Sequence, residues 1–374
     1  MNQTYDAIVI GAGIVGTACA RTFAAEGMQV AVVEAGILAG GATAAGMGHI
    51  VVMDDSPAQF ALTQYSQSLW KTLSRELPAK AEYRECGSIW VAEDEEEMTA
   101  VEGKHSFYHQ RAVATEVLGA SELHAVEPFL RRGLAGGLLV PGDAVVYAPA
   151  VCQFLLDSAV KQGTVVYSEK ALRIGSGTVT LSSGTELISI RIVNAAGEWA
   201  DALTPGIQIR RRKGHLAITD RYPGFIRHQL VELGYLKSAH ATTADSVAFN
   251  LQPRSTGQIL IGSSRQYGVD SKEVESEILS TMLRRAIEYM PDLATKSVLR
   301  TWTGFRAATP DKLPLIGPWQ EDSTIYLATG HEGLGITTSL GTARLLADHF
   351  AGRKAEIGAE AYLPQRRSVQ VLHV

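Results

Sequence analysis

The stretch that decides the fold is residues 8–16, IVIGAGIVG, and it is followed by a run VAVVE that ends at Glu34. A strand, a glycine-rich turn, a helix and a second strand follow one another here, which is the order of a βαβ unit. Gly11 permits a tight turn, Gly13 lets the backbone approach a pyrophosphate, and Gly16 lets the helix pack closely on the strand. The helix N-terminus favours phosphate, and the Glu34 carboxylate can accept hydrogen bonds from a ribose. The stretch therefore predicts a dinucleotide-binding turn.

The chain is too long for one small domain and has little net charge. It has 374 residues, a formal net charge of −5, and 46% hydrophobic and 20% charged residues. Such a composition is ordinary for a globular enzyme and argues against a nucleic-acid partner, which would require a basic face. The basic run RRRK at residues 210–213 is short. We expect it to be a solvated strand end, with an anion site as the alternative.

The cysteines and the first residues of the chain indicate the cellular compartment that we expect for the protein. Cys19, Cys86 and Cys152 are widely spaced, odd in number and without metal-ligand spacing, so a reduced, cytoplasmic setting and no bound metal are expected. Cys19 falls in a small-residue helix and is expected to be a core thiol. The first strand begins within a few residues of the start, which leaves no room for a signal peptide, and no apolar run reaches the length of a membrane span. Association with a membrane through a partner subunit stays open.

The first βαβ unit cannot complete a sheet by itself. We expect it to be joined by the helix and strand of residues 148–167, by a strand in residues 187–195 and by a strand at residues 324–328. Residues 187–195 are also expected to pair with Val179–Leu181 in a small sheet. The fold class is therefore α/β, with a discontinuous Rossmann-like domain and a second, β-rich α+β domain. The predicted boundaries are 1–80, 143–208 and 304–374 for the first domain, and 81–142 and 209–303 for the second.

Three later motifs resemble one family of flavoproteins. Residues 301–318 read TWTGFRAATPDKLPLIGP, residues 194–199 read NAAGEW, and residues 328–336 read ATGHEGLGI. Together with the first turn, and in this order, they resemble the D-amino-acid oxidase family, which includes glycine oxidase, sarcosine oxidase and D-amino-acid dehydrogenases. The stretch GMGHIVVMDD at residues 46–55 and the modest length are most similar to the FAD-carrying subunits of D-hydroxyproline dehydrogenases.

This resemblance implies noncovalent FAD, held by the first domain, and a substrate bound by the second. Some sarcosine oxidases hold their flavin through a late cysteine, but no cysteine follows Cys152 here. The ADP half of FAD would lie on the first turn, and the backbone N–H groups of the late loop would meet the pyrimidine end of the ring. The implied FAD residues are Gly11, Gly13, Gly16, Glu34, Ala42, Thr43, Met47, Gly48, His49, Ala171, Ala196, Gly197, Gly330, His331, Gly333, Leu334, Gly335 and Ile336.

Arg306 is the strongest candidate for substrate binding. A guanidinium can hold a carboxylate through two parallel hydrogen bonds. In the resembled family the arginine of this Gly-x-Arg segment binds the substrate carboxylate. The alternative is a buried ion pair with an acidic side chain. Relatives often have proline after this arginine, whereas this chain has Ala307.

Further candidates lie in the second domain. The family often supplies a tyrosine on the strand that ends in Pro-Arg, but here that strand reads AFNLQPR at residues 248–254, with Asn250 in the place of the tyrosine. The Asn250 amide would either bind a substrate hydroxyl or carboxylate, or close the sheet. Tyr235 and His215 are further candidates, with a satisfied core residue as the alternative reading of each.

His49 and His331 belong to segments that the resemblance places beside the flavin. His49 would either orient the substrate, contact the flavin or bond to backbone, and His331 would contact the ring. The implied reaction is oxidation of a small D-amino acid or secondary amine, similar to proline or hydroxyproline, to the imine by hydride transfer to flavin N5. The catalytic candidates are Arg306, His49, Asn250 and Tyr235.

Two other functions stay open at this point. The chain could be an electron-relay or scaffold subunit of a heteromeric dehydrogenase, inactive alone, or a nicotinamide-dependent Rossmann enzyme. The latter leaves the late glycine loop without a role. The expected partners are a small amino-acid substrate, an electron acceptor and, in the relay alternative, further subunits.

Overall fold

The computed structural model describes residues 3–234 and 246–366. Within them the chain separates into two compact units. The first unit runs to Ala81, then from Tyr147 to Arg211, and resumes at Phe305. The second unit comprises Glu82–Val146 and Arg212–Gly304. The assignment of these segments to cofactor and substrate domains with the sequence-derived boundaries stays a prediction.

The strands of the two units range from two to eleven residues in length. Their bounds are β1 Gln3–Thr4, β2 Ala7–Ile10, β3 Val30–Val33, β4 His49–Ile50, β5 Ser88–Ala92, β6 Glu116–Gly119, β7 Gly136–Val140, β8 Ala144–Val145, β9 Val165–Tyr167, β10 Ala171–Gly175, β11 Thr178–Leu181, β12 Glu186–Ile188, β13 Ile192–Asn194, β14 Arg210–Thr219, β15 Gln229–Glu232, β16 Ser246–Pro253, β17 Ile259–Tyr267, β18 Val298–Ala308, β19 Leu315–Trp319 and β20 Asp322–Thr329.

The helices differ widely in length, from single turns to long elements that cover the sheets. Their bounds are α1 Ile14–Ala25, α2 Ala42–Ala45, α3 Pro57–Leu73, α4 Glu95–His109, α5 Ala120–Val126, α6 Ala148–Lys161, α7 Ala200–Leu203, α8 Ser276–Tyr289 and α9 Gly335–Phe350. Ser56 caps α3, because its hydroxyl accepts a hydrogen bond from the Gln59 N–H at 3.1 Å.

The first unit is built on a central sheet with the strand order β19-β20-β13-β2-β3-β9. Neighbouring strands from β20 to β9 run parallel, and β19 pairs with β20 in the antiparallel direction. The runs AIVI of β2 and VAVV of β3 are buried along their whole length, as strands covered on both faces should be. Helix α1 packs against α6 and α9. Cys19 is fully buried in α1, so its prediction as a core thiol is confirmed.

The small sheet of the first unit has the strand order β1-β12-β11-β10. Its apolar residues share one core cluster with those of the central sheet, for example Val179 and Leu187 with Ile8 and Val33. The prediction of one strand through residues 187–195 is wrong. The segment divides into β12 in the small sheet and β13 in the central sheet, and Ile190 between them is exposed.

The second unit is built on a large sheet with the strand order β18-β14-β17-β16-β15-β5-β7-β6. Its register aligns apolar residues across the strands, as Ile89 pairs with Leu230, Leu230 with Leu251, and Leu251 with Ile261. These residues form a core cluster with Met282, Ala286 and Tyr289 of α8 and Leu123 of α5. Because paired residues point to the same face, this row marks the helix-covered face of the large sheet. A hairpin around residues 255–258 joins β16 and β17, which pair in the antiparallel direction.

Two further expectations are corrected here. The basic run at residues 210–213 is not a solvated strand end throughout, because Arg212 and Lys213 are almost completely buried. Lys213 Nζ lies 2.8 Å from Glu275 Oε1, which supplies the opposite charge that a buried ammonium requires. The late loop also ends earlier than the motif at residues 328–336 indicates, because helix α9 begins at Gly335 and the last residues of that motif form its first turn.

Candidate active site

The turn between β2 and α1 has glycine where a side chain would not fit. Gly11 has a φ of +100°, and a Cβ there would lie 2.6 Å from the Ala195 carbonyl oxygen. A Cβ on Gly16 would lie 1.9 Å from the Gly11 carbonyl oxygen. Both glycines are therefore required by backbone packing. At Gly13 the nearest atom would be Thr43 Oγ1 at 3.3 Å, so this glycine leaves its backbone approachable.

The first turn of α1 is held by a side chain from a distant segment. The Ile14 N–H donates to Thr43 Oγ1 at 3.0 Å, and Thr43 is buried. Gly13 occupies the N-cap position and provides no capping side chain of its own. Thr43 therefore stabilises a helix N-terminus whose N–H groups suit an anion.

Glu34 connects the end of β3 to the glycine turn. Its Oε2 accepts from the Ala12 N–H at 2.6 Å, and its Oε1 accepts from the Gly36 N–H at 2.8 Å. Each carboxylate oxygen has a further lone pair, so the group retains acceptor capacity for a ribose hydroxyl.

The segment after β13 places Ala196 and Gly197 near this turn. Asn194 is fully buried, and its amide donates to the Ala200 carbonyl and to the Thr204 hydroxyl, both at 2.9 Å. Its Oδ1 accepts from the Ala196 N–H at 3.2 Å. Asn194 therefore fixes the path of the chain, and its position at the end of a buried strand could have predicted this role. Ala171, the predicted adenine contact, lies buried at the start of β10.

The late loop lies between β20 and α9. Gly330 and Glu332 adopt positive φ values of 78° and 52°. The Glu332 N–H donates to the Ala307 carbonyl at 2.8 Å, which ties the loop to the end of β18. Positive φ is unfavourable for a residue other than glycine. The hydrogen bond to Ala307 therefore helps to hold Glu332 in this conformation.

His331 is buried at the base of this loop. Its Nδ1 lies 2.9 Å from Thr338 Oγ1, and Thr338 Oγ1 in turn donates to the Leu334 carbonyl at 2.8 Å. Its Nε2 is buried and has no hydrogen-bond partner among the residues that the structure describes. Burial lowers the pKa of His331 to about 4, so the ring is neutral at neutral pH.

His49, at the start of β4, contacts the same loop. Its Nε2 lies 3.2 Å from the Gly333 carbonyl oxygen, which can only accept, so Nε2 carries the proton. Burial lowers its pKa to about 4, with a backbone hydrogen bond to Gly333 opposing the shift and the Arg306 charge adding to it. Its Nδ1 is shielded from solvent and lacks a partner within residues 3–234 and 246–366. His49 therefore presents an unpaired acceptor beside a positive charge.

Thr337 is a residue that the sequence did not indicate. Its hydroxyl donates to the His49 carbonyl at 3.0 Å and accepts from the Val51 N–H at 3.3 Å. It thereby joins the first turn of α9 to β4. A threonine in an apolar helix carries no local signal for such a contact.

Arg306 passes beside the late loop. A Cβ on Gly333 would lie 3.7 Å from Arg306 Nε. Arg306, Gly333 and His49 are therefore neighbours in the first unit, and their roles at a substrate or cofactor site stay predictions. A guanidinium beside a neutral imidazole suits a substrate that carries a carboxylate.

The second-unit candidates differ in their surroundings. His215 is fully buried, with Nδ1 at 2.9 Å from Ser264 Oγ and Nε2 accepting from the Glu275 N–H at 3.0 Å. Both ring nitrogens have partners, which favours the core reading. Asn250 is buried, and its Oδ1 has no partner in the described part of the chain. Tyr235 lies outside the described residues.

The described residues contain neither a metal-binding cluster nor a helix that could span a membrane. No group of three or more His, Cys, Asp or Glu residues in this part of the chain could hold a metal ion. Helices of the described ranges are not long and apolar enough to cross a membrane.

Comparison with known proteins identifies the family. Residues 6–349 match the family described as FAD dependent oxidoreductase (DAO). The protein therefore belongs to the DAO family of FAD-dependent oxidoreductases, and FAD is its cofactor. The open backbone at Gly13, the free lone pairs of Glu34 and the unpaired buried nitrogens of His49 and His331 fit such a group.

Individual relatives are distant but cover almost the whole chain. Glycine oxidase of Geobacillus kaustophilus is 26% identical over 361 residues, covering 93% of each chain. The hydrogen cyanide synthase subunit HcnC of Pseudomonas aeruginosa is 28% identical over 400 residues, covering 92% of each.

Solved structures share the fold. The crystal structure of glycine oxidase from Geobacillus kaustophilus has a TM-score of 0.88 at 24% identity and covers 98% of this chain and 100% of that chain. The L-proline dehydrogenase from P. horikoshii has a TM-score of 0.85 at 22% identity and covers 98% of each. The predicted α/β fold with an FAD-binding Rossmann-like domain and a β-rich substrate domain is thereby confirmed.

Proposed function

We propose that the protein oxidises a small amino acid or secondary amine, similar to proline or hydroxyproline, to the imine. The observation that carries the proposal is the grouping of Arg306, Gly333 and His49 at the late loop of an FAD-dependent oxidoreductase. We propose the D-enantiomer as substrate, which the resemblance to D-hydroxyproline dehydrogenases favours.

The first unit would hold FAD through backbone groups above all. The glycines of the first turn and Glu34 would hold the ADP half, Thr43 would lie at the pyrophosphate, and the first turn of α9 would face the ring. Bound FAD supplies an acceptor for the hydride that leaves the substrate Cα. The remaining proposed contacts are Ala42, Met47, Gly48, Ala171, Ala196, Gly197, Gly330, His331, Leu334, Gly335 and Ile336.

Arg306 would bind the substrate carboxylate and so fix the direction of the Cα–H bond. Orientation of this kind contributes more to rate than to affinity, because it replaces a random encounter by a fixed geometry. His49 is neutral, so it adds no charge that would repel the amine, and its Nδ1 can accept a hydrogen bond from it. Asn250 and Tyr235 are proposed as further substrate contacts from the second unit.

We propose that FAD is bound noncovalently. Burial raises the pKa of the Cys19 and Cys152 thiols to about 12, which leaves them protonated and poorly nucleophilic. Burial also raises the pKa of Cys86. Denaturation should release all of the flavin into the supernatant, and colour retained on the pellet would contradict the proposal.

The names of the relatives support an amino-acid substrate. One is a glycine oxidase and another an L-proline dehydrogenase, and both names denote oxidation of a small α-amino acid. A different relative is a subunit of hydrogen cyanide synthase, which favours a second candidate function. In that alternative the chain is an FAD-carrying relay or scaffold subunit that is inactive alone.

The test is anaerobic bleaching of the bound flavin by a panel of amino acids. The panel contains both enantiomers of proline and alanine, the hydroxyproline isomers, glycine and sarcosine. We expect a small D-amino acid or secondary amine to bleach the flavin completely. Failure of every compound would contradict the proposed function. Turnover of the isolated chain with a dye acceptor would exclude the inactive-subunit alternative.

A further inference from the structure

Helix α3 of the first unit packs against the N-terminal half of α9, and a glycine lets the two helices approach closely. A Cβ on Gly341 of α9 would overlap Ser66 Oγ of α3 and would lie 3.1 Å from Leu62 Cδ1. Ser66 and Trp70 are four residues apart on α3, as Thr337 and Gly341 are on α9, so each pair lies on one face of its helix. Trp70 is thereby brought to the first turn of α9.

Trp70 donates from its indole N–H to the backbone of α9. The Trp70 Nε1 lies 2.9 Å from the Thr337 carbonyl oxygen and 3.2 Å from the Ile336 carbonyl oxygen, and the side chain is fully buried. An indole N–H only donates, so the two carbonyls share it in a three-centre bond. Carbonyls in the first turn of a helix already accept from N–H groups four residues later. The Trp70 bonds are therefore additional to those that the helix requires.

The first N–H groups of α9 are available to a ligand. The N-cap residue Leu334 provides no capping side chain, and the Thr338 N–H donates to the Leu334 carbonyl at 2.9 Å. The N–H groups of Gly335, Ile336 and Thr337 have no acceptor within residues 3–234 and 246–366, as is usual at a helix N-terminus. They belong to the turn that we propose faces the flavin ring.

One peptide group connects the Trp70 bond to these N–H groups. The Ile336 carbonyl and the Thr337 N–H belong to the same planar amide. A donor on the carbonyl oxygen polarises the amide, so that its N–H becomes a stronger donor, by roughly 10–30% per bond in a hydrogen-bonded chain. Trp70 therefore strengthens the positive end of α9 at an N–H group that can bind a ligand.

Other hydrogen bonds hold this amide in place. The Thr337 hydroxyl donates to the His49 carbonyl and accepts from the Val51 N–H, which ties α9 to the segment that begins with β4. The Met53 N–H in that segment donates to Thr63 Oγ1 of α3 at 3.1 Å, so the segment is attached to both helices. Loss of the indole N–H should therefore change the polarity of the amide more than its position.

We infer that Trp70 is a positioning residue that raises the reduction potential of the bound flavin by polarising the amide between Ile336 and Thr337. Reduction places negative charge at the pyrimidine end of the flavin ring, and a stronger N–H donor stabilises that charge. The inference rests on one part of the proposed function, the contact between the first turn of α9 and the ring. It does not depend on the identity of the substrate.

The test measures the flavin reduction potential, against a reference dye, in FAD-loaded variants that lack the indole N–H. Trp70→Phe removes the N–H together with part of the ring. A second variant carries 3-benzothienylalanine at position 70, in which sulfur replaces the N–H and the shape of the ring is nearly kept. We expect each variant to lower the affinity for reduced FAD, relative to oxidised FAD, about three- to tenfold, which lowers the potential of a two-electron couple by about 14–30 mV.

The matched control is a core aromatic residue at the other end of the same helix. Phe23 of α1 is fully buried, and its ring centroid lies 5.1 Å from that of Phe350, the last residue of α9. Phe23→Leu should lower the melting temperature, as Trp70→Phe does, and leave the potential unchanged. The benzothienyl variant should behave in the opposite way, with a lowered potential and a melting temperature close to the wild-type value.

Three results would overturn the inference. They are a wild-type potential in the benzothienyl variant, an equal shift of the potential in Phe23→Leu, and complete loss of FAD binding from the benzothienyl variant, since Trp70 would then hold the whole site together. The bleaching assay is separate. A flavin that an amino acid bleaches, in a protein whose Trp70 variants keep the wild-type potential, supports the proposed oxidation and refutes the role of Trp70. A lowered potential in a protein that no amino acid bleaches refutes the oxidation alone.

Discussion

The first unit contains two strand–turn–helix regions that are built differently. The early turn, between β2 and α1, is fixed by contacts between backbone and backbone, because a Cβ on Gly11 or Gly16 would meet a carbonyl oxygen. The late loop, between β20 and α9, is fixed by residues from other segments, among them His49, Thr337 and the end of β18. The early turn therefore depends on close approach of backbone to backbone, including the Ala195 carbonyl, and the late loop depends on side chains from elsewhere in the chain as well.

The largest effect is expected at the early turn. Gly16→Ala places a methyl group 1.9 Å from the Gly11 carbonyl, so the helix must move away from the strand. We expect a loss of at least about 3 kcal/mol in the free energy of unfolding and little bound FAD. Thermal unfolding and the flavin-to-protein ratio measure both.

The control at the early turn is Gly13→Ala. Its methyl group would approach only a threonine hydroxyl at 3.3 Å among the neighbours found within 4 Å, so the melting temperature should stay near the wild-type value while FAD affinity falls. Equal melting temperatures for the two variants would show that the turn is not fixed by its backbone packing.

The next largest effect is expected at Arg306. Arg306→Ala should lower kcat/KM roughly 30- to 1000-fold, since a charged bidentate contact contributes about 2–4 kcal/mol to transition-state binding. Arg306→Lys should recover part of this, because the charge stays but the planar fork is lost. FAD content should be unchanged in both. Wild-type kinetics in Arg306→Ala would refute the proposed substrate pose.

A smaller effect on stability is expected in the late loop, where alanine substitutions at two glycines should differ in their cost. Gly330→Ala combines a φ of +78° with a contact of 2.5 Å to Thr309 Cγ2, and we expect it to cost about 1–3 kcal/mol in stability. Gly333→Ala meets Arg306 at an ordinary distance of 3.7 Å and should change stability by less than about 0.5 kcal/mol. Its effect should appear in KM, because the added methyl group would occupy space beside the Arg306 guanidinium. A loop that tolerates both substitutions equally would not be the constrained structure described above.

The smallest effect concerns pH. Burial depresses the folded-state pKa values of His49 and His331 to about 4, below the value of about 6.5 in an unfolded chain. Between these values the unfolded state binds more protons, so their contribution to stability is complete above about pH 6.5 and is lost as the pH falls toward 4. His331→Asn and His49→Asn should each flatten the acid limb of the stability curve, because each removes one histidine with a depressed pKa. Acid limbs as steep as that of the wild type would contradict this assignment.

The sequence predicted the early turn because its requirements are local. Strand, glycines, helix and Glu34 lie within a few tens of residues, and each has a stereochemical reason. The break at Ile190 was missed because residues 187–195 are apolar on both sides of it, and an apolar run does not reveal that its two halves enter different sheets.

Only some residues of the candidate site could be predicted, because contacts between distant segments leave no local pattern in the sequence. Arg306, His49 and Gly333 were named through a resemblance and not from local pattern; the structure brings them together, and their roles stay predictions. Thr337 could not be found from sequence, because its two partners lie almost three hundred residues earlier in the chain.

The most direct measurement is a crystal structure of the FAD-loaded protein. The two regions should contact the same molecule, with a phosphate oxygen within hydrogen-bond distance of a backbone N–H at the start of α1 and a pyrimidine oxygen of the flavin within hydrogen-bond distance of an N–H in residues 334–336. A flavin that leaves either region without a contact would contradict the proposal that the early turn and the late loop together bind one cofactor.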